Sequence, residues 1–126
     1  MSTSLGTGPG RVLIAVYGLF ALAAGARAAV QIIGRFSEAP LAYSLSAFAA
    51  AVYVLLTVAL WRGARRLALV SLLIELVGVL VVGTASLLDP AAFPHDTVWS
   101  AYGRGYLFIP LVLPLVGLFW LRRRPV

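Results

Sequence analysis

Four long runs of apolar residues constrain the fold of this chain more than any other feature. They are bounded by charged or turn-forming residues and cover residues 12–34, 42–61, 67–88 and 106–121. At a rise of about 1.5 Å per residue, about 20 helical residues cross the hydrocarbon core of a bilayer. The first three runs reach that length, and the fourth is the shortest. The pattern predicts an all-α polytopic membrane protein, a bundle of four transmembrane helices.

The composition excludes a water-soluble monomer. Apolar residues make up 62% of the 126 residues and charged residues only 11%, against about 25% in a typical soluble domain. Mean hydropathy is +1.01, and a soluble chain of this length has too little interior to bury so many apolar side chains. One membrane domain is expected over residues 12–121, with a disordered polar tail at 1–11 and a basic tail at 122–126.

The connections between the runs predict which helices are neighbours. Five residues at 62–66, three of them arginine, join the second run to the third, so these helices must be antiparallel neighbours. A turn at 35–41 precedes the second run, and residues 89–105 form the one substantial loop. The two halves show no inverted repeat, which argues against a transporter of that design.

The arginines are distributed unevenly between the two ends of the predicted bundle. Seven lie at one end, at Arg11, in the 62–66 link and in the 122–124 tail, whereas Arg35 and Arg104 lie at the other. The positive-inside rule therefore predicts a multi-pass protein of the cell inner (plasma) membrane with both termini in the cytoplasm. Interfacial aromatic residues fit this orientation, with an inner set of Trp61 and Trp120 and an outer set of Tyr43, Trp99, Tyr102 and Tyr106.

A competing interpretation of the first run is a cleavable secretory signal. Arg11, the apolar stretch 12–24 and the Ala26-Arg27-Ala28 triplet have the layout of a signal with a small-x-small cleavage site. Cleavage after Ala28 would leave three spans and an external N-terminus. Because apolar residues resume at 30–33, the full spanning length favours an uncleaved helix.

Several functional classes are excluded or disfavoured by residue usage. Cysteine is absent, which excludes disulfides, thiol chemistry and cysteine-ligated metals. The net charge of +6 comes from arginine clusters without interleaved aromatic residues, so no nucleic-acid partner is expected. No cofactor is predicted. The expected partners are the lipid bilayer and either a second copy of this chain or a larger membrane complex.

Glu75 is the one acidic residue inside a predicted span, and burying such a residue in lipid is costly. It lies about 12 Å above the inner end of the third span, with Ser71 and Gly78 on the same helical face. Tyr53 lies at the same depth in the second span, so the two side chains are expected to meet. Glu75 is then either a proton or cation site, or a neutral acid whose hydrogen bond holds helices together, and the second interpretation is favoured.

Arg27, Gln31 and Arg35 repeat every four residues and form a polar stripe along the outer half of the first span. An arginine about 10 Å below the outer boundary can extend its side chain to that boundary. Arg27 is therefore expected to do so, or to pair with Asp89 or Asp96 of the loop. The alternative is an outward-facing polar cleft for an anion, such as a lipid headgroup or a carboxylate.

The loop between the third and fourth runs contains most of the remaining polar candidates. Asp89, His95 and Asp96 are weak metal ligands without helical spacing, so no metal site is predicted. Arg104 lies between two glycines near the end of the loop. Aromatic residues in the loop predict that it lies along the membrane interface.

Small residues and prolines make two further predictions about helix geometry. Ala21, Gly25 and Ala29, with Ala24 and Ala28 beside them, predict close approach of the first helix to the second or to another subunit. Pro110 and Pro114 should bend or break the hydrogen-bond ladder of the fourth span.

The chain resembles the small, uncharacterised four-span integral membrane proteins of actinobacteria. The resemblance covers nearly the whole chain, and it depends on residues 75–78 (Glu-Leu-Val-Gly), Asp89-Pro90, Trp99-Ser100, residues 103–106 (Gly-Arg-Gly-Tyr) and the two prolines of the fourth span. It implies a four-span fold and no particular activity. The chain does not match the small multidrug resistance transporters, because their essential glutamate lies in the first span and Glu75 lies in the third.

Two functions from different classes follow. The favoured one is a non-enzymatic accessory or scaffold subunit, because no nucleophile, base and orienting group occur together. The alternative is a small transporter or channel in which Glu75 couples a proton or cation, with Arg27 and Gln31 lining an outer vestibule. An enzyme acting on lipids ranks third.

Overall fold

The computed structural model describes residues 9–35, 37, 40–93 and 97–123. Of these residues, 91% are helical and none forms a strand, which confirms the predicted all-α class. The candidate loop residues His95 and Asp96, the turn residue Glu38 and the ends of both tails lie outside the described residues.

Four α-helices make up the bundle: α1 (Pro9–Arg35), α2 (Pro40–Trp61), α3 (Arg65–Leu88) and α4 (Ile109–Arg123). Two short 3₁₀ segments, Pro90–Ala92 and Ser100–Tyr106, lie between α3 and α4. The first three α-helices are long and apolar enough to cross a membrane, which supports a membrane-embedded protein. The end with the 62–66 connection is called the link end, and the end with residues 89–108 is called the loop end.

The helices pack in chain order, α1 against α2, α2 against α3 and α3 against α4, with a small contact between α1 and α4. Many apolar side chains point away from this core, and Leu22 and Ile33 of α1 are 73% and 86% exposed. Such exposure suits a helix face that contacts lipid. The predicted small-residue face of α1 is only partly used: Ala24 and Ala28 are buried, whereas Gly25 faces open space.

The fourth predicted span, residues 106–121, is broken near its start, in line with the bend or break predicted from its prolines. The helix α4 begins at Ile109 and has 15 residues. Leu107 and Phe108 have positive φ angles, and the chain bends by 97° between the 3₁₀ segment and α4. An α-helix continuing upstream would bring the Pro110 ring against the carbonyl of Tyr106. The two segments count as a fourth span only if the bent pair is taken as one broken span.

The loop at 97–106 folds back against α3, and its predicted position along the membrane interface stays a prediction. Trp99 is 1% exposed, and Tyr43 and Trp120 of the predicted interfacial set are buried too. Gly78 makes the approach of Trp99 to α3 feasible, since a Cβ there would lie 2.5 Å from the indole ring. Gly83 likewise allows Tyr102 to approach α3, since a Cβ there would overlap the tyrosine ring.

Replacing Gly78 by alanine should destabilise the protein, although alanine favours helices by about 1 kcal/mol over glycine. The added methyl overlaps the Trp99 ring, and overpacking of this kind costs about 1–3 kcal/mol. Gly25→Ala is the matched control, because its Cβ meets nothing within 4 Å. The free energy of unfolding in mixed micelles should fall for Gly78→Ala and stay level or rise for Gly25→Ala. Equal changes in the free energy of unfolding of the two variants would contradict the packing of Trp99 on Gly78.

Candidate functional site

The Glu75 side chain lies in the interior of the helix bundle. The residue is fully buried on the core face of α3, about 15 Å above Arg65 at the helical rise. Its neighbours on that face one turn away, Ser71 and Val79, are also fully buried. The carboxyl therefore faces protein and not lipid, which is the usual placement of an acidic residue in a span.

Tyr17 of α1 is the hydrogen-bond partner of this carboxyl. Its hydroxyl donates to Glu75 Oε1 over 2.6 Å, and the tyrosine is itself fully buried. The sequence prediction missed Tyr17. A signal was present, because Leu13, Tyr17 and Phe20 follow the helical spacing of a buried face that continues through Ala24 and Ala28.

Tyr53 and Trp99 complete the cluster around the carboxyl. Tyr53, which was predicted to reach the depth of Glu75, is fully buried on the core face of α2. Its ring centroid lies 6.0 Å from that of Tyr17. Trp99 Nε1 donates to the Tyr53 hydroxyl over 2.9 Å, so the loop is joined to the cluster by a buried hydrogen bond. We call Tyr17, Tyr53, Glu75 and Trp99 the carboxyl cluster.

Some polar atoms in the core have no hydrogen-bond partner among the described residues. They are Glu75 Oε2, Ser71 Oγ and Ser46 Oγ, all of them buried. Unpartnered polar atoms in an apolar interior are costly, and they are uncommon in native proteins. Within the carboxyl cluster, Glu75 Oε2 is thus a buried oxygen without a described hydrogen-bond partner.

Aromatic rings connect the carboxyl cluster to Arg27 at the loop end. Phe20 lies 5.5 Å from Tyr53 and 5.7 Å from Tyr106, measured between ring centroids. Arg27 Nη1 donates to the Tyr106 hydroxyl over 2.9 Å. Glu75 and Arg27 thus bond to different tyrosines, Tyr17 and Tyr106.

A polar pocket of about 240 Å³ lies beside Arg27. Arg104 lines the same pocket, together with the buried residues Thr97 and Ser100 and the hydroxyl-bearing Tyr106. The structure therefore brings together Arg27 and Arg104, which the sequence prediction treated separately. Gln31 is partly buried and its Oε1 has no described partner, and the Arg35 side chain lies outside the described set.

Asp89 belongs neither to the carboxyl cluster nor to the lining of the polar pocket. It is exposed at the end of α3, where its backbone N–H donates to the carbonyl of Ala85. Across the described residues, no group of three His, Cys, Asp or Glu side chains is arranged for a metal ion. His95 and Asp96 are not described, so their predicted loop position remains a prediction.

An apolar groove of about 480 Å³ runs along α2 and α3. It is lined by the exposed residues Phe48 and Val77, by Trp99 at the loop end and by further apolar side chains of both helices. On α3 the lining extends from Val70 to Val82, which is about 18 Å along the helix axis. The groove has room for an apolar segment lying against the bundle.

Trp99 should be protected from water-soluble quenchers in a variant whose other two tryptophans, Trp61 and Trp120, are replaced by phenylalanine. Its indole is 1% exposed and bonded to Tyr53, so its emission should be blue-shifted and weakly quenched by iodide. A variant that keeps only Trp61, which is 59% exposed at the link end, is the control. Equal quenching of the two indoles would show that the loop does not fold into the bundle.

Comparison of the chain with protein-family models, curated proteins and solved structures found no match. The resemblance to small four-span proteins of actinobacteria therefore stays a prediction.

Proposed function

We propose that this protein is a non-enzymatic accessory or scaffold subunit of a membrane complex. The observation that carries the proposal is the packing of Glu75. Its carboxyl is surrounded by aromatic side chains and bonded to Tyr17, an arrangement that joins α3 to α1. Hydrogen bonds of this kind stabilise transmembrane bundles by about 0.6–1.7 kcal/mol, which suits a structural role for the acid.

The apolar groove along α2 and α3 supports the same proposal. A transmembrane helix is about 10 Å wide with its side chains, and it associates with another by packing into such surfaces. The groove extends over about 18 Å of α3, more than half of the hydrocarbon thickness. A transmembrane segment of a partner subunit is the occupant that we propose.

We further propose that both termini are cytoplasmic and that the membrane is the cell inner (plasma) membrane. Support comes from the arginines, because Arg62, Arg65 and Arg66 lie in or beside the connection at the link end. This orientation places the carboxyl cluster nearer to the cytoplasmic side and the polar pocket nearer to the outer side.

Site-directed crosslinking tests the partner proposal, and the absence of native cysteine makes single-cysteine variants clean probes. A photoactivatable maleimide on Val77→Cys, in the groove, should give one protein adduct of fixed mass in native membranes. The same probe on Leu22→Cys, exposed on α1 outside the groove, should give lipid adducts only. An adduct of twice the chain mass would identify the partner as a second copy. The same set of crosslinked adducts from Val77→Cys and Leu22→Cys would contradict the proposal.

A small transporter or channel that uses Glu75 is the second candidate. The observation that favours it is the absence of a described partner for Glu75 Oε2 and Ser71 Oγ, two buried polar atoms one turn apart on α3. A proton carried by Glu75 would change the charge of the cluster, and coupling residues in membranes commonly act in this way.

Proton flux into reconstituted vesicles tests this second candidate. If Glu75 is the coupling residue, the wild type should acidify the lumen under an imposed gradient, and Glu75→Gln should abolish that flux. Ser46→Ala is the control, because it removes another buried hydroxyl seven residues, or about 10 Å, along α2 from Tyr53. Absence of flux in the wild type, or unchanged flux in Glu75→Gln, would remove Glu75 from any transport mechanism.

A further inference from the structure

The polar pocket at the loop end combines two cationic side chains in a small volume. Arg27 and Arg104 both line a cavity of about 240 Å³. That volume accommodates a compact oxyanion such as a phosphate ester.

Arg27 is held in place by its own contacts. The hydrogen bond from its Nη1 to the Tyr106 hydroxyl orients the guanidinium within the pocket. Tyr106 accepts that bond, so its own proton is left for a second acceptor. A guanidinium presents five N–H donors in a plane, and pairs of these donors match two oxygens of a phosphate or carboxylate.

Arg104 supplies the second cation. Its side chain is exposed and lines the pocket, and no hydrogen bond or ion pair joins it to another residue that the structure describes. Its position depends on the left-handed turn at Ala101, Tyr102 and Gly103, which have positive φ angles of 50°, 62° and 85°. Left-handed conformations cost energy in residues other than glycine. Ala101 N–H donates to Ser86 Oγ over 2.8 Å, which helps to hold this turn.

Thr97 and Ser100 shape the rest of the pocket wall. Ser100 Oγ accepts from the Thr97 backbone N–H over 2.8 Å, and Thr97 Oγ1 accepts from the Trp99 N–H over 3.1 Å. These bonds hold the segment around Trp99 in place, so this part of the pocket wall is preorganised. Preorganised donors lose less entropy on binding than flexible ones.

We infer that the polar pocket of Arg27 and Arg104 binds a phosphate-type oxyanion. Arginine is preferred where phosphate is recognised by paired hydrogen bonds. The pocket lies at the end of the bundle where lipid headgroups meet the protein, so a phospholipid headgroup and a free phosphate are the two sources of the same chemistry. The inference does not depend on the scaffold proposal.

Native mass spectrometry of the detergent-solubilised protein tests the lipid source. Phosphatidylglycerol should bind at least tenfold more tightly than diacylglycerol with the same acyl chains, which lacks the phosphate. Arg104→Gln should weaken phosphatidylglycerol binding about tenfold, the effect of losing one charge-assisted hydrogen bond. Arg27→Gln should do the same, and Arg104→Lys should recover part of the affinity because it restores the charge but not the planar donors.

A second arm titrates inorganic phosphate against lipid-free protein, with chloride at equal ionic strength as the reference. Thermal stabilisation by phosphate that is lost in Arg104→Gln, with no preference for phosphatidylglycerol over diacylglycerol, would identify a free oxyanion as the ligand. Arg66→Gln, which removes an exposed arginine at the link end, is the control for net charge. Equal weakening by Arg66→Gln and Arg104→Gln, or no binding in either arm, would overturn the inference. Trp99 emission verifies that each variant is folded.

Discussion

The hydrogen bond between Tyr17 and Glu75 is the interaction on which the arrangement of the bundle depends. A carboxyl in a membrane interior is expensive unless another side chain satisfies it, so its partner must be held within hydrogen-bond distance. α1 packs mainly against α2, and this bond is what joins it to α3 across the core. The donor is a buried tyrosine, and a phenol satisfies a carboxyl without adding a second charge.

The same cluster determines where the loop goes. Trp99 needs a buried acceptor for its indole N–H, and the Tyr53 hydroxyl provides it. The loop is thereby held against the small residues Gly78 and Gly83 of α3. Two surfaces share this placement: the indole lines the apolar groove, and the flanking residues Thr97 and Ser100 line the polar pocket. One buried hydrogen bond therefore organises both candidate binding surfaces.

Much of the fold was predictable because a transmembrane helix requires about 20 consecutive, mostly apolar residues. The first three helices begin within three residues of the predicted starts, since apolar run length and flanking arginines mark them directly. Glu75 and Tyr53 were predictable from depth along antiparallel neighbours. A break in the fourth span was predictable from its prolines. The burial of Tyr17 was indicated by helical spacing, but its bond to Glu75 and the place of Trp99 were not, because they depend on tertiary contacts.

The most direct measurement of the central claim is a double-mutant cycle between Tyr17 and Glu75. Unfolding free energies in mixed micelles would be compared for Tyr17→Phe, Glu75→Leu and the double variant. If the buried bond joins α1 to α3, the coupling energy should be about 1 kcal/mol, and Tyr17→Phe should cost little once Glu75 is leucine. A coupling energy indistinguishable from zero would contradict the account.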